Sequence, residues 1–327
     1  MKKTLLCFLV LTGVMTTWTA QAQTPASPAD IARQRRESVD LLRELRKKDA
    51  TAPALYPDED SDVGPQSILR VKPRHDWFQA LLDTQLSYTD NLLFQEGGKP
   101  ESASVFVNTA QLALTPPAWG THDTTWFPRV GYRHQWFNYG LFEGDHVKNN
   151  FDFEAQTAFG DVACRFHDWQ FKLGLEWTRL LGVNFQEFYR EYAPQLSVQR
   201  VLRVNERSAF VMGYLGSYRL TDVDPTPGFN DRDRLDRWDH VLIASYNRSI
   251  TSRLVVQPFY RFQFTDYAHL HREDLLHSFG GSVAWFFTDN LFARGYVSYD
   301  LKQSNDPLVP EYRKLDTGAG LSFGFKF

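Results

Sequence analysis

The sequence predicts an all-β protein, a transmembrane antiparallel up-and-down β-barrel of about twelve strands preceded by a short helical segment. Three observations lead to this fold class. From Trp77 onward, apolar and polar residues alternate with a period of two, which places each set on one face of a strand. The alternating segments are long enough to cross a bilayer at a tilt, which takes roughly 9–11 residues. Long polar connections and tight turns separate the segments, and the last strand pattern ends on Phe327.

The composition argues against several classes of protein. The chain has 327 residues, a formal net charge of -3 and 43% hydrophobic residues, a balance that argues against a nucleic-acid partner. A mean hydropathy of -0.42 argues against a helical membrane protein. Aromatic residues nevertheless make up 15% of the chain, and Trp and Tyr favour the interface between lipid and water. A soluble two-sheet sandwich would explain the alternation, but not the strand length, the loop asymmetry and the aromatic ending together.

Residues 1–22 have the layout of a secretory signal peptide. Two lysines follow Met1, an apolar core runs from Leu5 to Val14, and Ala20-Gln21-Ala22 forms a small-residue cleavage site. The apolar core is too short to span a bilayer as a helix. Cleavage would leave Cys164 as the one cysteine, so no internal disulfide is expected.

Residues 23–72 are predicted to form a periplasmic helix and an acidic linker. The stretch Ser27-Pro28-Ala29-Asp30 combines a cap residue, a proline at the first helical position and an acid in the first turn. Strong helix formers continue to about Lys48, with a short apolar stripe. The helix over residues 28–48 is either a docking site for a periplasmic partner or a solvated spacer, and its weak stripe favours the spacer. The acidic stretch from Tyr56 to Gln66 is typical of a flexible linker.

The barrel is predicted over residues 73–327. Alternation places its strands at 77–88, 103–114, 124–138, 150–163, 169–181, 188–199, 208–221, 237–248, 253–267, 276–287, 291–301 and 314–327. The connections after the first, third, seventh and eleventh strands are long and polar, whereas those after the fourth, eighth and tenth are tight. The pattern is weakest at QRVLRVNERS, a longer turn than expected, and in the eighth strand, which is apolar on both faces.

The polar set opposite the apolar face is predicted to line the barrel lumen. Its charged members are Arg129, Arg133, Asp152, Glu154, Lys172, Glu176, Arg219, Arg261, Arg294 and Asp316. Charge is costly on the lipid face but is tolerated inside a barrel, next to water or opposite charge. The set forms either a selectivity lining for a small polar solute or a salt-bridged plug. The number of strands does not decide between these two alternatives. Barrels of ~8 strands are filled by side chains and those of ~16–18 hold a wide channel, and twelve lies between.

Histidines and acidic loops give weak signals for catalysis or metal binding. An outer-membrane lipase needs its His and Ser on one face, whereas His277 and Ser278 are adjacent and should point to opposite faces of a strand. The stretch 269–273 has residue types that suit Zn²⁺ or Cu²⁺, but a solvated loop is favoured. The Asp-rich loop 222–236 lacks the glycine of a calcium-binding loop. We therefore predict no enzyme, no metal site and no cofactor.

The terminal GLSFGFKF, the signal peptide and the alternating strands together resemble Gram-negative outer-membrane β-barrel proteins of the porin type. In that family the C-terminal strand ends in Phe and is read by the barrel-assembly machinery. The matching residues here are Leu321, Phe323, Phe325 and Phe327. The resemblance covers about residues 73–327. A shorter segment, LSYTDNLLF from Leu86 to Phe94, resembles uncharacterised barrels linked to exopolysaccharide and exosortase systems.

The charged lining and the resemblance favour a narrow porin or channel for small polar solutes. The alternative is a structural outer-membrane component of a surface-polysaccharide export system, and a lesser alternative is a lipid-modifying enzyme. The resemblance implies outer-membrane lipids, lipopolysaccharide and the barrel-assembly machinery as partners. It implies the outer membrane of a Gram-negative cell as the location, reached through a cleaved signal peptide.

Overall fold

The computed structural model describes residues 76–94, 101–121, 123–142, 151–205, 207–224, 231–288 and 290–327. The predicted signal peptide and the helical segment lie outside these ranges. The strands are β1 (Phe78–Thr89), β2 (Ala103–Leu114), β3 (Trp119–Gly120), β4 (Thr124–Tyr139), β5 (Phe153–Phe166), β6 (Trp169–Gly182), β7 (Glu187–Asn205), β8 (Ser208–Val223), β9 (Arg237–Ser249), β10 (Leu254–Tyr267), β11 (Arg272–Phe286), β12 (Leu291–Ser304) and β13 (Tyr312–Lys326). Within the described ranges, no helix has the length and apolarity to cross a membrane.

The twelve long strands form one closed antiparallel barrel, and the two-residue β3 adds to β4 at one end. Successive strands are hydrogen-bonded neighbours, with β2 paired to β4. The ring closes between β1 and β13, where Gln79 lies opposite Lys326 and Thr89 opposite Asp316. The predicted antiparallel barrel of about twelve strands is confirmed. Because β13 pairs with β1, neither strand leaves an open edge at the seam.

Every predicted strand overlaps an observed one, and the largest differences have a common cause. β7 continues to Asn205, and β11 begins at Arg272. In the QRVLRVNERS segment, cross-strand pairing continues through Leu202 and Phe210, so the connection shrinks to residues 206–207. Sequence alternation weakens where a strand leaves the apolar layer, because both of its faces can then be polar.

The two ends of the barrel differ. The long-loop end, as we name it, carries the connections 90–102, 140–152, 224–236 and 305–311, together with the shorter 183–186 and 268–271. The short-turn end carries 115–123, 167–168, 206–207, 250–253 and 287–290, and both ends of the barrel sequence lie there. This asymmetry is the one expected of an outer-membrane barrel.

Large apolar side chains cover the outer surface between the two ends. Leu82, Leu173 and Leu242 are 58%, 67% and 51% exposed, and aromatic rings lie above and below them near the strand ends. Exposed aromatic residues toward the ends of strands include Trp126, Trp169, Tyr192, Trp238, Trp285 and Tyr299. An apolar band flanked by rings matches the lipid-facing surface of a membrane barrel.

Candidate functional site: the barrel lumen

Alternate residues of each long strand face the lumen. On β1, Asp83 and Gln85 are buried, whereas Leu82 before them and Leu86 after them are 58% and 40% exposed. Residues directly opposite each other on paired strands share a face. The register therefore carries this assignment from β1 around the whole barrel.

Most of the predicted lining residues face the lumen by this register. They are Arg129, Arg133, Lys172, Glu176, Arg219, Arg261, Arg294 and Asp316. Arg129, near the short-turn end, bonds the Asp161 carboxylate on β5, with 2.8 Å from its Nη2 to Oδ2. Asp161 was not among the predicted residues because it follows Phe159 and Gly160, where the alternation is poor.

Asp152 and Glu154 differ from the prediction. Asp152 precedes β5, and its Oδ1 accepts a hydrogen bond from the Tyr139 backbone N–H at 2.7 Å. Glu154 lies opposite Trp136 on the outer face, and its Oε2 is 2.9 Å from His134 Nε2. The apolar set of β5 points inward instead of toward lipid, because it packs in an apolar cluster inside the long-loop end.

That apolar cluster covers one side of the lumen at the long-loop end. Its buried members are Leu92, Ala103, Val105, Val107, Phe137, Tyr139 and Ala155. Leu92 reaches the cluster from the start of the β1–β2 connection, which is fixed to the seam. The Leu315 backbone N–H donates to Asp90 Oδ1 at 2.7 Å, and Asn91 Nδ2 donates to the Arg313 carbonyl at 3.0 Å. The TDNLLF sequence thus extends the β1–β13 seam beyond the strands.

Paired charges line the opposite side of the long-loop end. In the Glu191 cluster (Glu191, Arg219, Arg237, Asp239), Arg219 donates to both carboxylates at 2.6 Å. Asp239 is 2% exposed and also accepts a hydrogen bond from Thr265 Oγ1 at 2.8 Å. Only Arg219 of this cluster was predicted. The other three lie beside apolar or loop residues, which hid their alternation.

A second set, the Asp274 cluster, continues the charged wall onto β11, β12 and β13. Arg272 Nε donates to Asp274 Oδ1 at 2.9 Å, and Lys302 Nζ lies 3.2 Å from Asp274 Oδ2. Lys314 Nζ lies 2.9 Å from Asp316 Oδ2 and 3.6 Å from Asp300 Oδ2. Carboxylates and cations alternate around this wall, which limits the cost of burying each charge.

Deeper in the lumen, a third cluster joins β12 to the seam. Arg294 Nη2 donates to Asp83 Oδ2 at 2.8 Å and to Gln85 Oε1 at 3.0 Å. Gln85 Nε2 donates to the Tyr296 hydroxyl at 2.8 Å, and Ser322 Oγ donates to Asp83. Polar and charged groups therefore line the wall from the long-loop end into the middle of the barrel.

Three inward aromatic rings lie against glycines on the neighbouring strand near the middle of the barrel. The register partners are Gly131 and Phe159, Gly280 and Phe259, and Gly318 and Tyr296. A Cβ added at Gly318 would lie 2.7 Å from Tyr296 Cε1, and one at Gly131 would lie 2.6 Å from Phe159 Cζ. The glycines therefore let the rings lie along the wall.

The four residues in and just after β13 that match the family's C-terminal pattern face outward. Leu321, Phe323, Phe325 and Phe327 are 49%, 44%, 46% and 51% exposed. Phe327 exchanges two backbone hydrogen bonds with Phe78, of 2.9 Å and 3.0 Å, and their ring centroids lie 5.5 Å apart. The glycines of the other face, Gly318 among them, point into the lumen.

Three histidines, His134, His240 and His277, lie on the outer face. His240 Nδ1 and His277 Nδ1 are each 2.8 Å from a tyrosine hydroxyl, that of Tyr214 and that of Tyr260 respectively. Ser278 is buried on the inward face, so it and His277 point in opposite directions. Across the described residues, no group of three or more His, Cys, Asp or Glu side chains could hold a metal ion. In the 222–236 loop, Arg232 pairs with Asp222 at 3.2 Å.

No family model matches the chain, and no curated protein matches its sequence. Several solved structures are similar to it. An outer-membrane channel from Pseudomonas putida F1 superposes with a TM-score of 0.53 at 11% identity, covering 81% of this chain and 100% of that one. The β domain of the Bordetella autotransporter BrkA gives 0.43 at 13% identity, over 76% and 100% of the two chains. The KdgM porin in complex with disordered oligogalacturonate gives 0.37 at 9% identity, over 75% and 99%. The chain has the fold of an outer-membrane β-barrel.

Proposed function

We propose that this outer-membrane β-barrel is a narrow channel for small polar solutes. The observation that carries the proposal is the chemistry of the wall. Charged residues, some acidic and some basic, face inward on β1 and on β4 through β13, whereas the outer face carries the band of large apolar side chains. Paired charges can exchange a partner for a passing solute or for water.

The three pairs of glycine and aromatic residues support passage through the middle of the barrel. Rings held along the wall occupy less of the lumen than rings that project from it. Glycine in a strand interior is otherwise unfavourable, because it lacks a side chain to pack and costs conformational entropy. We infer that these glycines are present to keep the lumen passable.

Planar-bilayer recording of the purified, refolded protein tests the proposal. A channel should give discrete conductance steps that rise with salt concentration. A folded barrel without conductance over a broad salt range would contradict the channel and favour a structural role in a surface-polysaccharide export system. A lipid- or peptide-cleaving activity lost on changing His134, His240 or His277 to Ala would instead favour an enzyme.

We further propose that the outward residues of β13 serve as the assembly signal. Leu321, Phe323, Phe325 and Phe327 form a continuous apolar series on the outer face of β13 at the seam with β1. Exposed aromatic residues at alternate positions suit recognition by a machine that adds strands in the bilayer. A periplasmic partner for residues 28–48 stays a prediction, because those residues lie outside the ranges that the structure describes.

A further inference from the structure

On the outer face of β6 and β7, opposing side chains form a column. Its middle is aliphatic, like the acyl chains of a lipid, and its upper end is cationic, where a charged headgroup would lie. From the short-turn end, the opposing pairs are Trp169 and Arg200, Phe171 and Val198, Leu173 and Leu196, Leu175 and Pro194, Trp177 and Tyr192, and Arg179 and Arg190. Leu173, Leu175 and Leu196 are 67%, 52% and 47% exposed. The column therefore passes from aliphatic to aromatic to cationic as it approaches the long-loop end.

Two like charges stand directly opposite each other at the top of this column. Arg179 and Arg190 are register partners on one face, an arrangement that is destabilising unless an anion lies between the two. Arg179 donates from Nε and Nη2 to Gln156 Oε1, at 2.9 Å and 2.7 Å. Its guanidinium also lies 5.6 Å from the Trp177 ring centroid. These partners hold the Arg179 side chain in place without neutralising its charge.

The acids of this region contact other residues or lie beside Arg190, and none of them contacts Arg179 among the described residues. Glu154 bonds His134, and Asp222 pairs with Arg232 at 3.2 Å. Glu187 pairs with Arg190 at 2.6 Å, with 27% of the Glu187 side chain exposed. Asp222 is also the register partner of Arg190 on β8, so Arg190 lies beside two carboxylates, whereas Arg179 contacts Gln156 and the Trp177 ring. Among the described residues Arg179 forms no ion pair, so its charge is available to a further anion at the level of the aromatic rings.

We propose that Arg179 and Arg190 bind a phosphate group of a phosphorylated glycolipid in the outer leaflet, the lipid A part of lipopolysaccharide. A guanidinium presents a planar fork that matches phosphate oxygens, and two facing forks can share one phosphate. The acyl chains lie below it, against Leu173, Leu175 and Leu196. The proposal rests on the outer-membrane location, with the long-loop end facing outward, and not on channel activity.

The opposite end of the same column supplies a matched control. Arg200 also faces outward, and its guanidinium lies 5.1 Å from the Trp169 ring centroid, much as Arg179 lies over Trp177. Its register partner is Trp169 and not a second arginine. Arg200 therefore has the same charge, exposure to lipid and ring contact, but lacks the facing cation.

The test is titration of the refolded, detergent-solubilised protein with lipid A, followed by native mass spectrometry. Arg179→Gln and Arg190→Gln should each weaken lipid A binding about tenfold or more, through loss of charge-assisted hydrogen bonds. Arg200→Gln should leave the affinity unchanged, and dephosphorylated lipid A should bind the wild-type protein as weakly as lipid A binds Arg179→Gln. Heat-dependent gel mobility verifies that each variant is folded, and neither readout depends on conductance.

Three results would overturn the proposal. If folded Arg179→Gln bound lipid A with wild-type affinity, Arg179 would not be part of a lipid A site. If Arg200→Gln lost as much affinity for lipid A as Arg179→Gln, the binding would be a general attraction to surface charge. Phosphatidylglycerol that competes as well as lipid A would assign the patch to ordinary phospholipid. A protein that binds lipid A as proposed but conducts no ions would leave the site intact and sink only the channel.

Discussion

At the scale of single residues, the lumen is stabilised by charges that are buried in pairs. Asp239 is 2% exposed and bonded to Arg219 at 2.6 Å, with Thr265 as a further donor. Asp239→Asn should lower the free energy of unfolding by about 3 kcal/mol or more, because removing one partner leaves buried cations uncompensated. Urea titration of the refolded protein, followed by tryptophan fluorescence, measures the change.

Asp222→Asn is the matched control at this scale. Asp222 also pairs with an arginine, Arg232, but the two side chains are 42% and 62% exposed. Exposed pairs contribute little, so this variant should change stability by less than about 1 kcal/mol. Equal effects of the two substitutions would mean that the lumen pairs are solvated like surface pairs.

Residue faces could be predicted from the sequence only where apolar residues mark the lipid side. Arg129 and Arg133 alternate with outward residues on β4, and their inward placement follows from that pattern. On β5 the same logic assigns Glu154 to the lumen, but the apolar residues there face inward. Alternation separates the residues of a strand into two faces, but it does not show which face lines the lumen. On β5 that assignment follows only from the residues against which Phe153 and Ala155 pack.

At the scale of strand pairs, glycines set the position of the lumen rings. Gly318→Ala would bring a Cβ to 2.7 Å from the Tyr296 ring, which must then move away from the wall. Overpacking of this kind costs roughly 1–3 kcal/mol, and the displaced ring should lower single-channel conductance. Gly295→Ala on the outer face of β12 is the control, since the nearest atom to its Cβ is 3.9 Å away. If Gly318→Ala left the single-channel conductance unchanged, the Tyr296 ring would not line the narrowest part of the lumen.

The terminal strand makes a separate prediction at this scale. Phe327→Ala should reduce the amount of folded barrel in the membrane of cells, because it removes the ring that stacks on Phe78 and ends the outward apolar series. Leu315→Ala changes an outward apolar residue of the same strand, 39% exposed at its other end, and should assemble normally. Comparing heat-modifiable protein in membrane fractions measures both. Equal assembly of the two variants would argue against an assembly signal at Phe327.

At the scale of the whole molecule, period, strand length and loop asymmetry were enough to predict a closed barrel of about twelve strands. The interior was less predictable, because ion pairs such as Arg219 with Glu191 join residues 28 positions apart in sequence. No local pattern records such a pairing. The two paired strands β7 and β8 bring the charges together, and their register depends on the whole ring.

The same architecture predicts the direction in which the protein crosses the membrane. A chain that enters from the periplasm leaves its tight turns and its termini on that side, so the long-loop end should face the outside. In a Cys164→Ser background, Leu308→Cys in the 305–311 connection, 87% exposed, should react with a membrane-impermeant maleimide on intact cells. Ser252→Cys, exposed in the 250–253 turn, should react only after the outer membrane is permeabilised. If Ser252→Cys reacted on intact cells and Leu308→Cys reacted only after permeabilisation, the long-loop end would face the periplasm. The Arg179 and Arg190 pair would then lie in the inner leaflet, where lipid A is absent.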